Sequence, residues 1–293
     1  MRTPSSLEGM AEGDTIHRTA RKLQETLGGR LIEDVAIPNP ESRLRQQGQR
    51  VERLRGSTMT IAEARGKHLL LHFDCDLVLH SHLGMRGSWR IRASAGKAAP
   101  DRRAWIVLSV AGIDAVELDG SHLALMTEAE LRSDPRLRTL GPDVLGPAFD
   151  APTGVAKLRG TDQSRELGDV LLDQRVLSGI GNIYKCEGCW SARIDPWRTL
   201  ADLDDDELRR MVIEVAALMR YGVETGRTPR SVYRRAGQSC PRCGARIQAR
   251  GQGDANRTAY WCPRCQPDEP ALRDGAALTS DTAPPAAPRP DDH

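Results

Sequence analysis

The sequence predicts an α+β protein: an N-terminal antiparallel β-sandwich opened by one helix, then a helical domain, then a metal-bound β-hairpin. Three observations carry this expectation. Short strand-like runs with close turn signals fill the chain from Leu31 to Leu118, and beyond Asp150 the apolar period lengthens to that of helices. Near the end, two Cys-Pro-Arg-Cys knuckles, Cys240–Cys243 and Cys262–Cys265, are separated by eighteen residues.

Gly13 to Gly29 reads as an amphipathic helix, because Ile16, Ala20, Leu23 and Leu27 recur on one face. Asp14 or Thr15 can cap its start and Gly28-Gly29 ends it. Strand-like runs follow at Leu31 to Ile37, His68 to Phe73, Leu77 to His82, Ser88 to Arg92, Trp105 to Val110 and Ala115 to Leu118. Asp74-Cys75-Asp76 and Ala111-Gly112-Ile113-Asp114 supply hairpin turns. Leu131 to Asp150 is rich in Pro, Gly and Asp, the composition of a domain junction. Asp169 to Leu177 then reads as a short apolar helix, Ser178-Gly179-Ile180-Gly181 as a tight turn and Asn182 to Ala192 as a second helix. Asp204 caps a third, with Leu208, Met211, Val212, Val215, Leu218 and Met219 as its buried stripe.

No run is apolar enough for a bilayer and Met1 to Gly9 lacks a signal peptide's apolar stretch, so a cytoplasmic protein without membrane contact is expected. The net charge of +2 hides an imbalance. Arg227 to Gln266 carries nine arginines against one acid, Asp254, whereas Pro267 to His293 holds six acids and two arginines. The basic segment attracts phosphate. From about Leu272 the Ala/Pro/Asp-rich composition is that of a disordered tail.

The four knuckle cysteines can place their sulfurs on one Zn²⁺ at about 2.3 Å, and four protein ligands leave no open position, so the metal is structural. Between the knuckles, Arg246, Arg250 and Arg257 stand on an expected hairpin whose turn is Gly251-Gln252-Gly253; they can grip phosphates or form a solvated face. At Gly179-Ile180-Gly181-Asn182 the N–H groups of the next helix and the Asn182 amide favour an anion, although a plain helix-to-helix turn explains the glycines equally. Cys186 and Cys189 fall inside a helix and read as buried thiols, and Cys75 as a core or loop thiol. Lys67, entering a strand after Arg65-Gly66, can bind phosphate, act as an amine nucleophile or simply be solvated.

In this order the pieces resemble the formamidopyrimidine-DNA glycosylase/endonuclease VIII family from about Met10 to Gln266. The resemblance rests on Leu172-Asp-Gln-Arg-Val-Leu-Ser-Gly-Ile-Gly-Asn-Ile-Tyr-Lys185, Val232-Tyr-Arg-Arg-Ala-Gly-Gln-Ser-Cys240 and Tyr260-Trp-Cys-Pro-Arg-Cys-Gln266. Arg65-Gly-Lys67, His82-Leu-Gly-Met85 and Asp134-Pro-Arg-Leu add to it. It implies a catalytic sandwich at 10–135 behind an extension at 1–9, a linker at 136–150 and a helix-two-turn-helix domain at 151–230. A zinc finger at 231–267 and a tail at 268–293 complete the expected division.

Such enzymes flip a damaged base out of duplex DNA and attack C1′ with the amine of their N-terminal residue; the Schiff base then permits β- and δ-elimination. By resemblance Ala11 stands at the nucleophile's place and Glu12 is the neighbouring acid. Lys67, Asn182 and Arg257 hold phosphates, and Met85 fills the gap in the base stack. The implied partner is double-stranded DNA with damaged bases or abasic sites, bound by a monomer associated with the nucleoid. Met10-Ala-Glu-Gly-Asp-Thr15 is nearer to the endonuclease VIII-like branch, which favours oxidised pyrimidines. Two departures stand against lyase chemistry: Ala11 replaces the family's proline, and its nitrogen follows Met10 in a peptide bond. Translation from Met10, proteolytic trimming and loss of the lyase step are the open explanations. The rival readings are a homologue that binds damaged DNA without cutting it, and a zinc-ribbon nucleic-acid adaptor, which the match before Ala151 disfavours.

Overall fold

The computed structural model describes residues 11–94 and 101–267, so the extension at 1–9, Met10 and the tail from 268 lie outside the described residues. Helix α1 (Gly13–Leu27) forms where its periodicity predicts and buries Ile16, Ala20, Leu23 and Leu27. Two four-stranded antiparallel sheets follow. The first takes β1 (Asp34–Ala36), β6 (Ala104–Val110), β7 (Ile113–Leu118) and β5 (Ser88–Ala93), in that spatial order. The second takes β2 (Met59–Arg65), β3 (His68–Phe73), β4 (Leu77–His82) and β8 (His122–Thr127).

Alternation sets which side chains go inward. Leu69, Leu71, Phe73, Leu77, Leu79, Leu123 and Leu125 from the second sheet meet Ile106, Leu108, Val110 and Ala115 from the first, and α1 closes the same core. The outer face of the second sheet buries Leu70, Val78 and Met126 beneath Leu131 and Leu137 of the short helices α3 (Glu128–Ser133) and α4 (Pro135–Arg138), reached from helix α2 (Gly48–Leu54) through β2 to β8.

The run from Leu31 to Ile37 is not one strand. Leu31 makes an isolated bridge to Thr58, just before β2 of the second sheet, while Asp34–Ala36 pairs with β6 of the first, from Asp34↔Ser109 to Ala36↔Val107, so the run cannot stay in one ladder. Strands β2 and β8 escape the alternation pattern because β2 (Met-Thr-Ile-Ala-Glu-Ala-Arg) is built largely from helix-favouring residues and β8 has one face under α3.

The second domain packs α5 (Ala151–Arg159), the one-turn α6 (Leu167–Val170), α7 (Asn182–Ala192) and α8 (Asp205–Thr225) around Val144, Leu171, Leu177, Tyr184, Met211, Val215 and Met219. Asp204 caps α8 as expected, accepting from Glu207 N in a reciprocal capping box. The apolar helix expected over Asp169 to Leu177 is cut to α6, because Asp173 takes the Arg175 backbone N–H at 3.0 Å and both Arg165 and Arg175 side chains, and this local pairing favours turns. Within the junction expected at 136–150, α4 and the Asp143 carboxylate are ordered: Asp143 accepts from Gly66 N at 2.8 Å, His17 Nε2 at 2.9 Å and Leu145 N at 2.9 Å. That residue joins α1, the β2–β3 turn and the helical domain.

The hairpin is β9 (Gln248–Gln252) and β10 (Arg257–Trp261). Its turn is Gly253 to Asn256, not Gly251-Gln252-Gly253: Gly251 pairs with Thr258 and Gln252 with Arg257. The shift follows from Gln252, which is buried and held by Glu166 Oε2 and the Pro196 carbonyl. Arg246 accordingly lies before the hairpin, bridging Ser239.

Candidate active site and metal centre

Three segments meet at one point. Gly13 N donates to Gly179 O at 2.9 Å, Ala11 N donates to Gly84 O at 3.3 Å and Gly66 N is tied to Asp143, so the start of the described chain threads between the β4–β5 loop and the turn before α7. Gly179 adopts φ +97°, reserved for glycine. A Cβ at Gly181 would lie 2.3 Å from the Glu12 carboxyl carbon. Gly179 is therefore required by its backbone angle and Gly181 by the approach of Glu12.

Glu12 is 1 % exposed and accepts from Ile183 N at 2.8 Å and Tyr184 N at 3.2 Å, the free donors at the start of α7. The anion that sequence reasoning expected at this helix end is thus the protein's own carboxylate, not a phosphate. Burial pushes the Glu12 carboxyl up to about 7, against the downward pull of Lys67 and the two N–H groups. A carboxyl poised near neutrality can donate and accept a proton. Lys67 is partly buried, and its ammonium is held below the ordinary lysine range by burial and by Arg257, with Glu12 opposing.

Lys67, Asn182 and Arg257 line one cavity of about 380 Å³, shared with Arg165, Asp169 and Gln252. Asn182 and Arg257 also line a neighbouring cavity of about 660 Å³ with Met85, Tyr233 and Arg234. Met85, 65 % exposed, projects at its edge. Ala11 is 9 % exposed and belongs to the sandwich core. The Asn182 Nδ2 is engaged by the Thr258 carbonyl at 2.9 Å, tying α7 to the finger and leaving its buried Oδ1 without a protein partner.

Two residues that sequence reasoning missed fix these elements. Glu187 accepts from Ser231, Val232 and Tyr233 N at 2.8 to 2.9 Å, anchoring the entry to the finger on α7. Asp143 is the other. A carboxylate that serves backbone N–H groups far away in sequence leaves no local signal; Glu187 sits mid-helix like any surface acid. Cys186 and Cys189 are buried thiols as expected: Cys186 packs into the finger core and is pushed up to about 11, and Cys189 is raised further in the helical core.

The four finger sulfurs lie within 4.8 Å of one another, with Cys243–Cys262 at 3.4 Å and Cys240–Cys265 at 3.9 Å. Sulfurs on a tetrahedral Zn²⁺ stand about 3.8 Å apart. The donors therefore fit one structural zinc, which would close the finger and take no part in chemistry. The finger's apolar residues, Ile247, Val232 and Tyr233, pack on Ile183 and Cys186 of α7, so the metal site is welded to the helix that caps Glu12.

The sequence profiles of known families match this organisation in order. They are the formamidopyrimidine-DNA glycosylase N-terminal domain over residues 10–126, the formamidopyrimidine-DNA glycosylase H2TH domain over 140–233 and the zinc finger found in FPG and IleRS over 237–267. The chain is 35 % identical over 280 residues to "Probable endonuclease 8 2" of Streptomyces coelicolor, covering 91 % of this chain and 97 % of that protein. It is 35 % identical over 271 residues to "DNA-(apurinic or apyrimidinic site) lyase Nei2" of Mycolicibacterium smegmatis, covering 88 % and 99 %. Among solved structures, a complex of Lactococcus lactis Fpg with DNA containing an abasic site superposes with a TM-score of 0.76 at 25 % identity, covering 87 % and 99 %. No helix among the described residues is long and apolar enough to cross a membrane. Sandwich, helical domain and four-cysteine finger, matched in the same order along the chain, place this protein in the formamidopyrimidine-DNA glycosylase/endonuclease VIII family.

Proposed function

We propose that the chain is a base-excision repair glycosylase and abasic-site lyase that acts on oxidised bases in double-stranded DNA, with pyrimidines favoured. One observation carries the reading: a buried carboxyl poised at about 7 directly follows Ala11 and is electrostatically coupled to Lys67 on the cavity wall. In this reading the Ala11 amine bonds to C1′ as the C1′–base bond breaks, and the Glu12 proton goes to the departing base or the ring oxygen. Ring opening gives an imine, loss of the 3′ phosphate is the β-elimination, loss of the 5′ phosphate the δ-elimination, and water releases the enzyme. Lys67, Arg257 and Asn182, whose Nδ2 also ties α7 to the finger, hold phosphates, and Met85 occupies the space vacated in the stack.

A second reading has its own observation: the Ala11 nitrogen is a peptide N–H donating to Gly84 O, and an amide cannot form an imine. It makes the chain from Met1 a protein that grips damaged DNA without cutting. Borohydride reduction with abasic-site DNA separates the two. A chain starting at Met10, whose Met is removed before the small Ala11, should be trapped covalently, whereas the chain verified by mass to begin at Met1 should bind and not be trapped. If the two chains are trapped at equal rates, Ala11 is not the nucleophile and the amine of Lys67 becomes the candidate.

A further inference from the structure

A second cationic cavity lies at the same end of the sandwich, outside the site above. His68 opens β3, His82 closes β4 and His122 opens β8, so the antiparallel register gathers them at one sheet edge, with His82 directly opposite His122. His68 Nδ1 lies 2.8 Å from Nε2 of buried His80, and the His68–His82 and His80–His122 ring centroids are 4.9 and 5.0 Å apart. With Arg43, Trp105 and Arg136, the three edge histidines wall a cavity of about 600 Å³.

Its electrostatics are unusual for a surface hollow. Burial and mutual repulsion hold His68 and His80 down to about 3, so these imidazoles are neutral and the charge comes from the two arginines. Among the described residues neither guanidinium pairs with a carboxylate. Among the described residues Arg43 makes no hydrogen bond or ion pair, and Arg136 contacts the His122 ring, with Nη1 3.0 Å from Nε2. Asp134, two residues before Arg136, turns its Oδ1 to the backbone N–H groups of Arg136 and Leu137. A metal does not fit: the four cysteines are the one group among the described residues whose ligand atoms converge. Two uncompensated guanidiniums, neutral imidazole donors and an indole together match a phosphate ester with an attached ring.

We propose that this cavity is a second phosphate-ester site, in which Arg43 and Arg136 hold the phosphate and Trp105 contacts the sugar or base attached to it. The proposal rests on the DNA-binding reading. His68 adjoins Lys67, and His82 precedes Met85 by the two residues Leu83 and Gly84, so a DNA strand leaving the cleft past Met85 is the nearest source; a free nucleotide offers the same chemistry.

Both arginines are exposed, so Arg43→Ala/Arg136→Ala leaves the fold intact, which an unchanged Tm verifies. Titrated with a duplex carrying an abasic analogue, the double variant should bind roughly tenfold more weakly near ~0.1 M salt and lose about 1.8 from its log–log salt slope. An Arg30→Ala/Arg132→Ala control, whose residues do not line the cavity, should lose neither. Duplexes trimmed from each end identify DNA as the source at the length where wild type and variant converge. Calorimetric binding of a deoxynucleoside monophosphate to the wild type alone, with DNA affinity unchanged, identifies free nucleotide. Equal DNA binding by wild type and variant at every length, with no nucleotide bound by either, overturns the site, as does an equal loss in the control pair. Failure of the underlying reading looks different: the wild type would not bind the duplex, or Lys67→Ala would leave its affinity untouched.

Discussion

Replacing Glu12 by glutamine should abolish the alkaline fall of base excision. The lift of its carboxyl from 4.5 to about 7 corresponds to about 3 kcal/mol between the two protonation states. Burial dominates that shift, and the Ile183 and Tyr184 N–H groups and Lys67 limit it. The folded value lies above the unfolded one, so the stability contributed by the protonated carboxyl is complete below 4.5 and is lost as pH rises through about 7. In the proposed mechanism the acid disappears in the upper part of the same window. Single-turnover excision of an oxidised pyrimidine, followed from a pH of about 5.5 to about 9 on a chain that begins at Met10, should fall at the alkaline end, approaching tenfold per unit once the Ala11 amine is deprotonated.

Glu12→Gln removes the proton while preserving shape. Its amide oxygen can still accept one of the two α7 N–H groups. Excision should lose its alkaline fall, keep the rise set by deprotonation of the Ala11 amine, and drop by about 10² to 10⁴-fold, with abasic-DNA affinity changed only a few-fold. A wild-type midpoint near 4.5, or an alkaline fall that survives unchanged in Glu12→Gln, would refute the assignment of Glu12 as the acid.

Cys262→Ser should release zinc, which mass spectrometry of the native protein detects as one equivalent in the wild type, and should abolish DNA binding while the sandwich keeps its own unfolding transition. Lys67→Ala and Arg257→Ala should each weaken DNA binding about equally in every sequence context and flatten the log–log salt slope by about 0.9; a loss confined to one base context with the slope intact would count against phosphate contacts. Glu117 is fully buried with Oε1 on Ser81 Oγ, Oε2 without a partner and its carboxyl pushed up to about 8, so its contribution to stability is complete below 4.5 and drains as pH rises through about 8. Urea denaturation should show the wild type losing about 1.4 kcal/mol per unit in that window relative to Glu117→Gln, and parallel curves would remove the buried acid from the account.

What could be read from the chain alone follows a physical rule. Local signals with fixed spacing came through: the α1 stripe, the Asp204 cap and the two knuckles each encode their geometry within a few residues, and the structure contains all three. Signals that depend on a distant partner did not. The Leu31 to Ile37 run has ordinary strand chemistry, and only its two different neighbours, Thr58 and β6, divide it. The hairpin turn was misplaced by two glycines that look like a turn, because the residue between them is held by Glu166 and Pro196, far back in the chain.

The site shows the same division more sharply, since its residue types were legible and their electrostatics were not. Glu12 is marked only by the family resemblance, as the acid beside Ala11, and nothing nearby in sequence says that it is buried or that its oxygens occupy the N–H groups of Ile183 and Tyr184, 171 and 172 positions away. That contact decides two chemical questions together. Burial raises the carboxyl towards neutrality while the two N–H bonds hold that rise back, and the same bonds take the Ile183 and Tyr184 N–H groups out of the set able to meet a DNA phosphate. The positive side of the cavity must then come from side chains, Lys67 and Arg257, whose mutual repulsion contributes to the lowering of Lys67. A phosphate arriving between them would relieve that repulsion and favour the charged ammonium beside Glu12. Binding DNA should therefore pull the Glu12 carboxyl back down through the Lys67 charge, while exclusion of water by the same DNA pushes it up. The acid keeps its proton for the excision step only where the second effect matches the first.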